Sequence, residues 1–295
     1  MVSLVALSKV SEEGVEFKSP VDGTDMLLTP EKSINLQNQI GSDIIMALDD
    51  VISSTTTGDR VAEASKRTIR WIDRCISAHR NPHRQNLFGI VQGGLDPDLR
   101  AQCLKDMIAR DEFLPGYAIG GLAGGEDKNY FWRVVHQCTS ALPSHKPRYL
   151  MGVGYPLDLV VCSLLGVDMF DCVYPCRTAR FGTALVPTGI MKLKASQYAQ
   201  DYSPILEGCR CLTCQNYTRA FLQSIVGKES VACQLITIHN LTYVFDLMTS
   251  LRNSIIEGSA DIFVRCFLKT MFPTGEIPQW VRDAMAAINI SLSES

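Results

Sequence analysis

Residues 87–122 read LFGIVQGGLDPDLRAQCLKDMIARDEFLPGYAIGGL. The apolar run Leu87–Val91 stops at Gln92-Gly93-Gly94, a helical pattern bounded by Asp96 and Asp111 follows, and a second apolar run, Tyr117–Ile119, stops at Gly120-Gly121. Short continuous apolar runs separated by a helix are the pattern of parallel strands buried on both faces and covered by helices. The same alternation extends both ways. Strand-like runs occur at Asp43–Leu48, Tyr149–Val153 and Met169–Val173, and helical patterns at Asp59–Ala78, Glu126–Ala141 and Pro156–Leu165. Thr29-Pro30 is a cap and first-turn signal for a helix reaching Ile40.

Every strand ends in polar or glycine-rich residues: LDD, VQGG, IGGLAGG, MGVG and FDCVYP. Function gathers at the carboxyl ends of parallel strands, both in barrels and in doubly wound sheets. Polar ends on five successive strands favour an α/β fold of the (β/α)8 barrel type. The count falls short of eight, with Gly182–Val186 as a sixth candidate. The start of the chain, with a hairpin across Val15–Phe17 and Met26–Leu28, feeds a helix and supplies no barrel strand. The expectation is a barrel that lacks its first units. Its parts are 1–187 with 235–295, and a smaller subdomain at 188–245 that holds a cysteine knuckle. The last segment, Ala260–Ile290, reads as helix, loop, helix.

Of the 295 residues 46% are apolar and 20% charged, which excludes disordered, collagenous and coiled-coil chains. No apolar run reaches membrane-spanning length, and Met1–Val5 has no basic flank of a secretory signal. Lys and Arg total 28 against 31 Asp and Glu, so a nucleic-acid partner must be held by a local patch. The 11 cysteines are scattered as reduced thiols. The exception is Cys209, Cys211 and Cys214, in C-x-C-x2-C spacing, with His239 further on. Three thiolates and an imidazole are the soft tetrahedral set of a structural zinc ion. The bland alternative is free thiols in a turn beside a packed histidine. Cys233 is a possible competitor that precedes an apolar run.

Asp171 ends the last strand, in a run with Arg177 and Arg180. A carboxylate there suits nucleophilic attack on a sugar carbon, and the two arginines suit phosphates. The alternative is a loop-capping Asp paired with an arginine. Asp49 and Asp50 end the first strand, where a carboxylate can accept two N–H bonds from a purine edge or simply cap the next helix. Gln92 can serve a carbonyl and an N–H together. The glycine pairs fit neither the dinucleotide fingerprint nor the phosphate loop. His79 reads as a packing residue, and the Arg60/Arg67/Arg70/Arg74 stripe as a solvated helix face, with contact to RNA or a partner as the lesser alternative.

GSDIIMALDDV, FGIVQGG, IGGLAGGE, RYLMGVG, DMFDCVYPCRTARFG and C-R-C-x-x-C with the later His resemble the queuine tRNA-ribosyltransferases, the tRNA-guanine transglycosylase family, on the catalytic side of its eukaryotic branch. The resemblance implies a barrel with a zinc-bearing insertion. It implies exchange of guanine for queuine at the wobble position of GUN-anticodon tRNAs (those for aspartate, asparagine, histidine and tyrosine), by double displacement. Asp171 would be the nucleophile on ribose C1′. Asp49, Gln92, Gly121 and Leu122 would hold the base, with Met151 packed on it and Val51 where bacterial members carry Cys. Arg177 and Arg180 would bind RNA, and Cys209, Cys211, Cys214 and His239 one structural Zn2+. A non-catalytic sister subunit, a cytoplasmic location and peripheral attachment to the mitochondrial outer membrane are further implications.

Two departures stand out. Cys176 occupies the place of a family Thr. The family pattern also carries D-S-G-G-F-Q, with an acid/base Asp and a base-stacking aromatic, immediately before the MVSL that opens this sequence. The expectation is therefore an alternative start, splice form or incomplete gene model with impaired catalysis. Two other readings stay open: an inert, partner-binding form of the same heterodimer, and a small-molecule glycosidase with a second carboxylate roughly 5 Å from Asp171.

Overall fold

A computed structural model describes residues 7–292; the readings at Met1–Val5 and at MVSL lie outside them. The chain divides into two compact units, one of Met1–Gly152 with Leu165–Phe170, the other of Val153–Leu164 with Asp171–Ser295.

The first unit opens with an antiparallel sheet of β1 (Ser8–Val10), β2 (Val15–Lys18) and β3 (Asp25–Leu28), in that order. The expected hairpin pairs Val15 with Leu28 and Phe17 with Met26. Next comes α1 (Pro30–Ile40), whose Thr29 hydroxyl accepts the Lys32 N–H at 3.2 Å, as the Thr-Pro signal predicts. The alternation follows: β4 (Ile44–Met46), α2 (Asp59–Ala78), β5 (Asn86–Val91), α3 (Pro97–Ile108), β6 (Gly116–Ile119), α4 (Lys128–Ala141) and β7 (Arg148–Leu150). The chain then supplies α5 (Pro156–Leu164) to the second unit and returns as β8 (Met169–Phe170).

Strands β4 to β8 form one parallel sheet in sequential order, with no reversal. Sequential order is that of consecutive barrel units; a doubly wound sheet reverses at its switch point. β6 is buried throughout and β5 from Leu87 onward, Leu87, Phe88, Ile90 and Val91 being at most 1% exposed, as strands covered on both faces must be.

The second unit continues with α6 (Tyr174–Arg180), β9 (Thr183–Val186) and β10 (Gly189–Lys192). Here the candidate sixth strand is corrected. β9 pairs antiparallel with β10 in a separate sheet, Val186 opposite Gly189. Only Pro187 and Thr188 lie between them, with Gly189 at φ 115°; a parallel partner needs a crossover of about a dozen residues. After α7 (Leu212–Asn216) and α8 (Arg219–Ile225) comes the long α9 (Ser230–Ile256). The closing helix, loop, helix is α10 (Ala260–Met271) and α11 (Gln279–Ala287).

Leu193, Ile205, Leu222 and Ile236, all fully buried, centre the core of this unit. Buried Asn240 staples it: its side-chain oxygen accepts the Leu185 N–H at 2.8 Å, and its amide donates to Pro175 O at 2.9 Å and Thr183 O at 3.0 Å. One side chain thereby satisfies main-chain groups of α6 and β9 that would otherwise be orphaned. Among the described residues no helix is long and apolar enough to cross a membrane.

Candidate active site and metal centre

The cysteine knuckle is built by the entry to α7. Cys211 is the N-cap residue, and its sulfur accepts the Cys214 N–H at 3.3 Å, so the helix start turns the sulfurs of the triplet toward one point. His239 reaches the same point from α9. Its Nδ1 lies 3.8, 3.7 and 3.3 Å from the sulfurs of Cys209, Cys211 and Cys214, and all four ligand atoms fall within 4.8 Å of one another. A tetrahedral ion with the usual zinc bond lengths sets sulfur and nitrogen about 3.5 Å apart. The donors present therefore fit zinc without rearrangement. His239 Nε2 is 2.9 Å from Leu185 O, which fixes that nitrogen as the N–H donor and leaves Nδ1 free to ligate. Burial holds the imidazole pKa down and pushes the Cys214 thiol up to about 12, so metal loading must displace thiol protons. Cys233 lies outside the cluster, its thiol donating to Arg180 O at 3.7 Å.

The base-recognition candidates gather at the carboxyl ends of β4, β5 and β6. Asp49 and Gln92 are both buried, and the Gln92 amide donates to Asp49 Oδ2 at 2.6 Å. Burial, the largest influence, pushes the Asp49 carboxyl up to about 6; the Gln92 hydrogen bond opposes this and the Asp50 charge adds to it. The Gly120-Gly121 turn crosses beside this pair. A Cβ at Gly120 would stand 2.9 Å from Gln92 Nε2, and one at Gly121, whose φ is 69°, 2.5 Å from Gln92 Oε1. Only glycine admits this approach. Leu122 is buried, while Met151 and Val51 are half-buried. The Met151 N–H reaches back to Ile119 O at 3.4 Å.

Asp171 follows β8 directly in the chain and is exposed on the second unit, as are Arg177 and Arg180 in α6. The arginines stand three apart on one helix face, in the last turn, where cations complement the helix dipole.

Sequence reasoning missed three features. Asp50 does not cap α2, whose N-cap is Gly58. Its fully buried carboxylate binds Arg60 at 2.5 and 2.8 Å and Arg67 at 2.6 Å. The arginine stripe is solvated at Arg60 and Arg70, as read, and is also ion-paired: Arg67 and Arg70 grip Glu12, and Arg74 grips Glu31. The Glu126 carboxylate accepts the N–H groups of Ala123 and Gly124, each at 2.8 Å. Burial alone would raise its pKa, but main-chain donors outweigh that and hold it below the usual range. Arg100, wholly buried in α3, carries the third feature. His79 behaves as read, its ring nitrogens meeting Asn38 and Gln85 O. A cavity of about 650 Å³ between Ser54–Gly58 and Leu95–Leu99 is lined by neither Asp49 nor Gln92.

The sequence pattern of the queuine tRNA-ribosyltransferases matches residues 1–273. The chain belongs to that family. It is similar to the queuine tRNA-ribosyltransferase catalytic subunit of Caenorhabditis briggsae, 51% identical over 307 residues, covering 99% of this chain and 76% of that protein. The catalytic subunit of Schizosaccharomyces pombe is likewise 51% identical, over 99% of this chain and 74% of its own length. The queuine tRNA-ribosyltransferase of Thermus thermophilus is 45% identical over 97% of this chain and 74% of its own. Family membership and the cysteine–histidine geometry agree on an α/β fold with a metal-compatible cluster.

Proposed function

We propose that the chain is a tRNA-guanine transglycosylase subunit that exchanges guanine for queuine at the wobble position of GUN-anticodon tRNAs. The observation that carries this is the buried Asp49–Gln92 pair beside a glycine turn, in a chain whose relatives are named for that reaction. An ionised Asp49 accepts the two N–H groups of a guanine-type edge, and the Gln92 amide, with the main chain at Gly121 and Leu122, serves its oxygen. Met151 packs on the ring, and Val51 leaves room for the larger substituent of queuine.

Asp171 supplies the nucleophile. An oxygen of its carboxylate bonds to ribose C1′ as the C1′–N9 bond of guanine breaks, giving a covalent enzyme–RNA ester. N9 of queuine then attacks C1′ and releases Asp171. Guanine leaves with a proton at N9 and queuine loses one there, so the cycle is proton-neutral and needs no redox cofactor or nucleoside triphosphate. Arg177 and Arg180 hold the flanking phosphates. Cys209, Cys211, Cys214 and His239 would hold one zinc ion, which would supply structure by tying α7 to the amino-terminal half of α9. The remaining parts of this reading are a non-catalytic sister subunit and a cytoplasmic site of action with peripheral attachment to the mitochondrial outer membrane.

The test mixes the full chain with the sister subunit and tRNA and looks for an RNA adduct that survives denaturation. The adduct should form with the unaltered chain and vanish in Asp171→Asn. An adduct that persists in Asp171→Asn, or none with the unaltered chain, would overturn the assignment.

A further inference from the structure

Arg100 stands one turn into α3, after the QGGLD loop, and is wholly buried. Three of its five N–H groups go to main-chain oxygens: Nε donates to Gly94 O at 2.8 Å, Nη1 to Val91 O at 2.9 Å and Nη2 to Gly120 O at 2.7 Å. Among the described residues no carboxylate pairs with it. A buried cation without a counter-ion is costly, and an apolar side chain would hold α3 against the sheet more cheaply. What the charge does is tie the glycine turn after β5 to the one after β6.

The second observation lies on the far side of the same peptide. Gly120 C=O and Gly121 N–H belong to one peptide unit, and among the described residues no acceptor takes the Gly121 N–H. A Cβ at Gly121 would sit 3.2 Å from Arg100 Nη2 and 2.5 Å from Gln92 Oε1. The guanidinium, the Gln92 amide and this peptide therefore share one small space, with Asp49 on the other side of Gln92. A charged donor on a carbonyl draws electron density to its oxygen and strengthens the N–H at the other end.

We infer that Arg100 is a positioning residue for base recognition: it polarises the Gly120–Gly121 peptide so that the Gly121 N–H is a strengthened, pre-oriented donor to the 6-oxygen of the purine. The inference rests on the base-pocket reading above and adds to it the group that makes that donor selective for a 6-oxo base.

Glycine labelled with 13C at its carbonyl and 15N at its amide gives carbonyl-to-amide correlations only for Gly-Gly pairs, and this sequence has those at 93–94, 120–121 and 124–125. In Arg100→Lys, a point charge in place of the fork, the Gly121 signal should move upfield while that of Gly125 stays. An unmoved Gly121 signal overturns the inference. Arg100→Lys should also weaken guanine binding about fivefold, the worth of one net hydrogen bond, and leave 2-aminopurine, which lacks the 6-oxygen, unchanged. Equal losses for both bases would show a merely structural role. Should Arg100→Lys not fold, the unaltered chain carries the test: guanine must displace the Gly121 signal most of the three, and 2-aminopurine must not. If the unaltered chain binds no guanine, the pocket reading falls and this inference with it. Guanine binding that Arg100→Lys leaves intact overturns the inference alone.

Discussion

Asp49, the proposed acceptor of the base, shows how burial sets the working range of a carboxylate. Loss of solvation holds its carboxyl at about 6, well above the ordinary aspartate value. Between those two values the folded chain keeps a proton that the unfolded chain gives up. The stability contributed by this group is thus whole below about pH 4 and is lost as pH rises through about 6. Base binding runs the other way, since only the carboxylate accepts two N–H bonds. Guanine affinity should be flat above pH 7 and fall about tenfold per pH unit well below 6, with the dependence abolished in Asp49→Asn. Titration calorimetry between pH 4.5 and 7.5 checks this, and a flat profile for the unaltered chain would contradict it. Asp49 and Gln92 were legible as candidates because they end apolar runs. Their neighbours were not. Nothing in the local spacing ties Asp50 to Arg60 and Arg67, or Glu12 to Arg70 across more than fifty residues. The Glu12 pairs exist only once the β1–β2 turn is folded onto α2, where the Trp71 indole donates to Glu12 O.

At the scale of elements, periodicity located β4 to β8 and the helices between them, because each parallel strand carries a short apolar run. It misjudged β9 for the same reason: Thr183–Val186 is as apolar as a barrel strand, and only the two-residue turn to β10 makes it a hairpin. The metal knuckle was legible because thiol spacing is local, and His239 was found although it lies far along the chain. What spacing did not show is that His239 also bonds to β9 through Leu185 O, so the ion would brace α7, α9 and β9 together. Removing it should loosen those elements first. A strong chelator is expected to release one zinc per chain, lower the melting temperature, and raise hydrogen exchange around Leu185, α7 and the amino-terminal half of α9. Exchange in β4 to β6 should change little. Uniform exchange throughout, or no metal released, would argue that the four residues are a packed thiol cluster.

For the whole molecule, charge decides how RNA can be held. The formal charge is -3, so the summed field repels a polyanion and attraction must come from a few cations. The proposed base pocket lies in the first unit, and Arg177 and Arg180, the proposed phosphate contacts, in the second, so the two contributions can be separated by ligand. Free guanine carries no phosphate, and its affinity should be insensitive to salt and to Arg177→Ala. Binding of an anticodon stem-loop should weaken as salt rises, and each arginine removed should reduce the slope of log affinity against log salt by about 0.7, the value for a single-stranded phosphate contact. Losing both should lower that slope by about 1.4. A stem-loop slope unchanged in the double Arg177→Ala, Arg180→Ala variant would place the phosphate contacts elsewhere. Binding with no salt dependence at all would instead favour a barrel that acts on small sugars, because a glycosidase has no phosphates to neutralise.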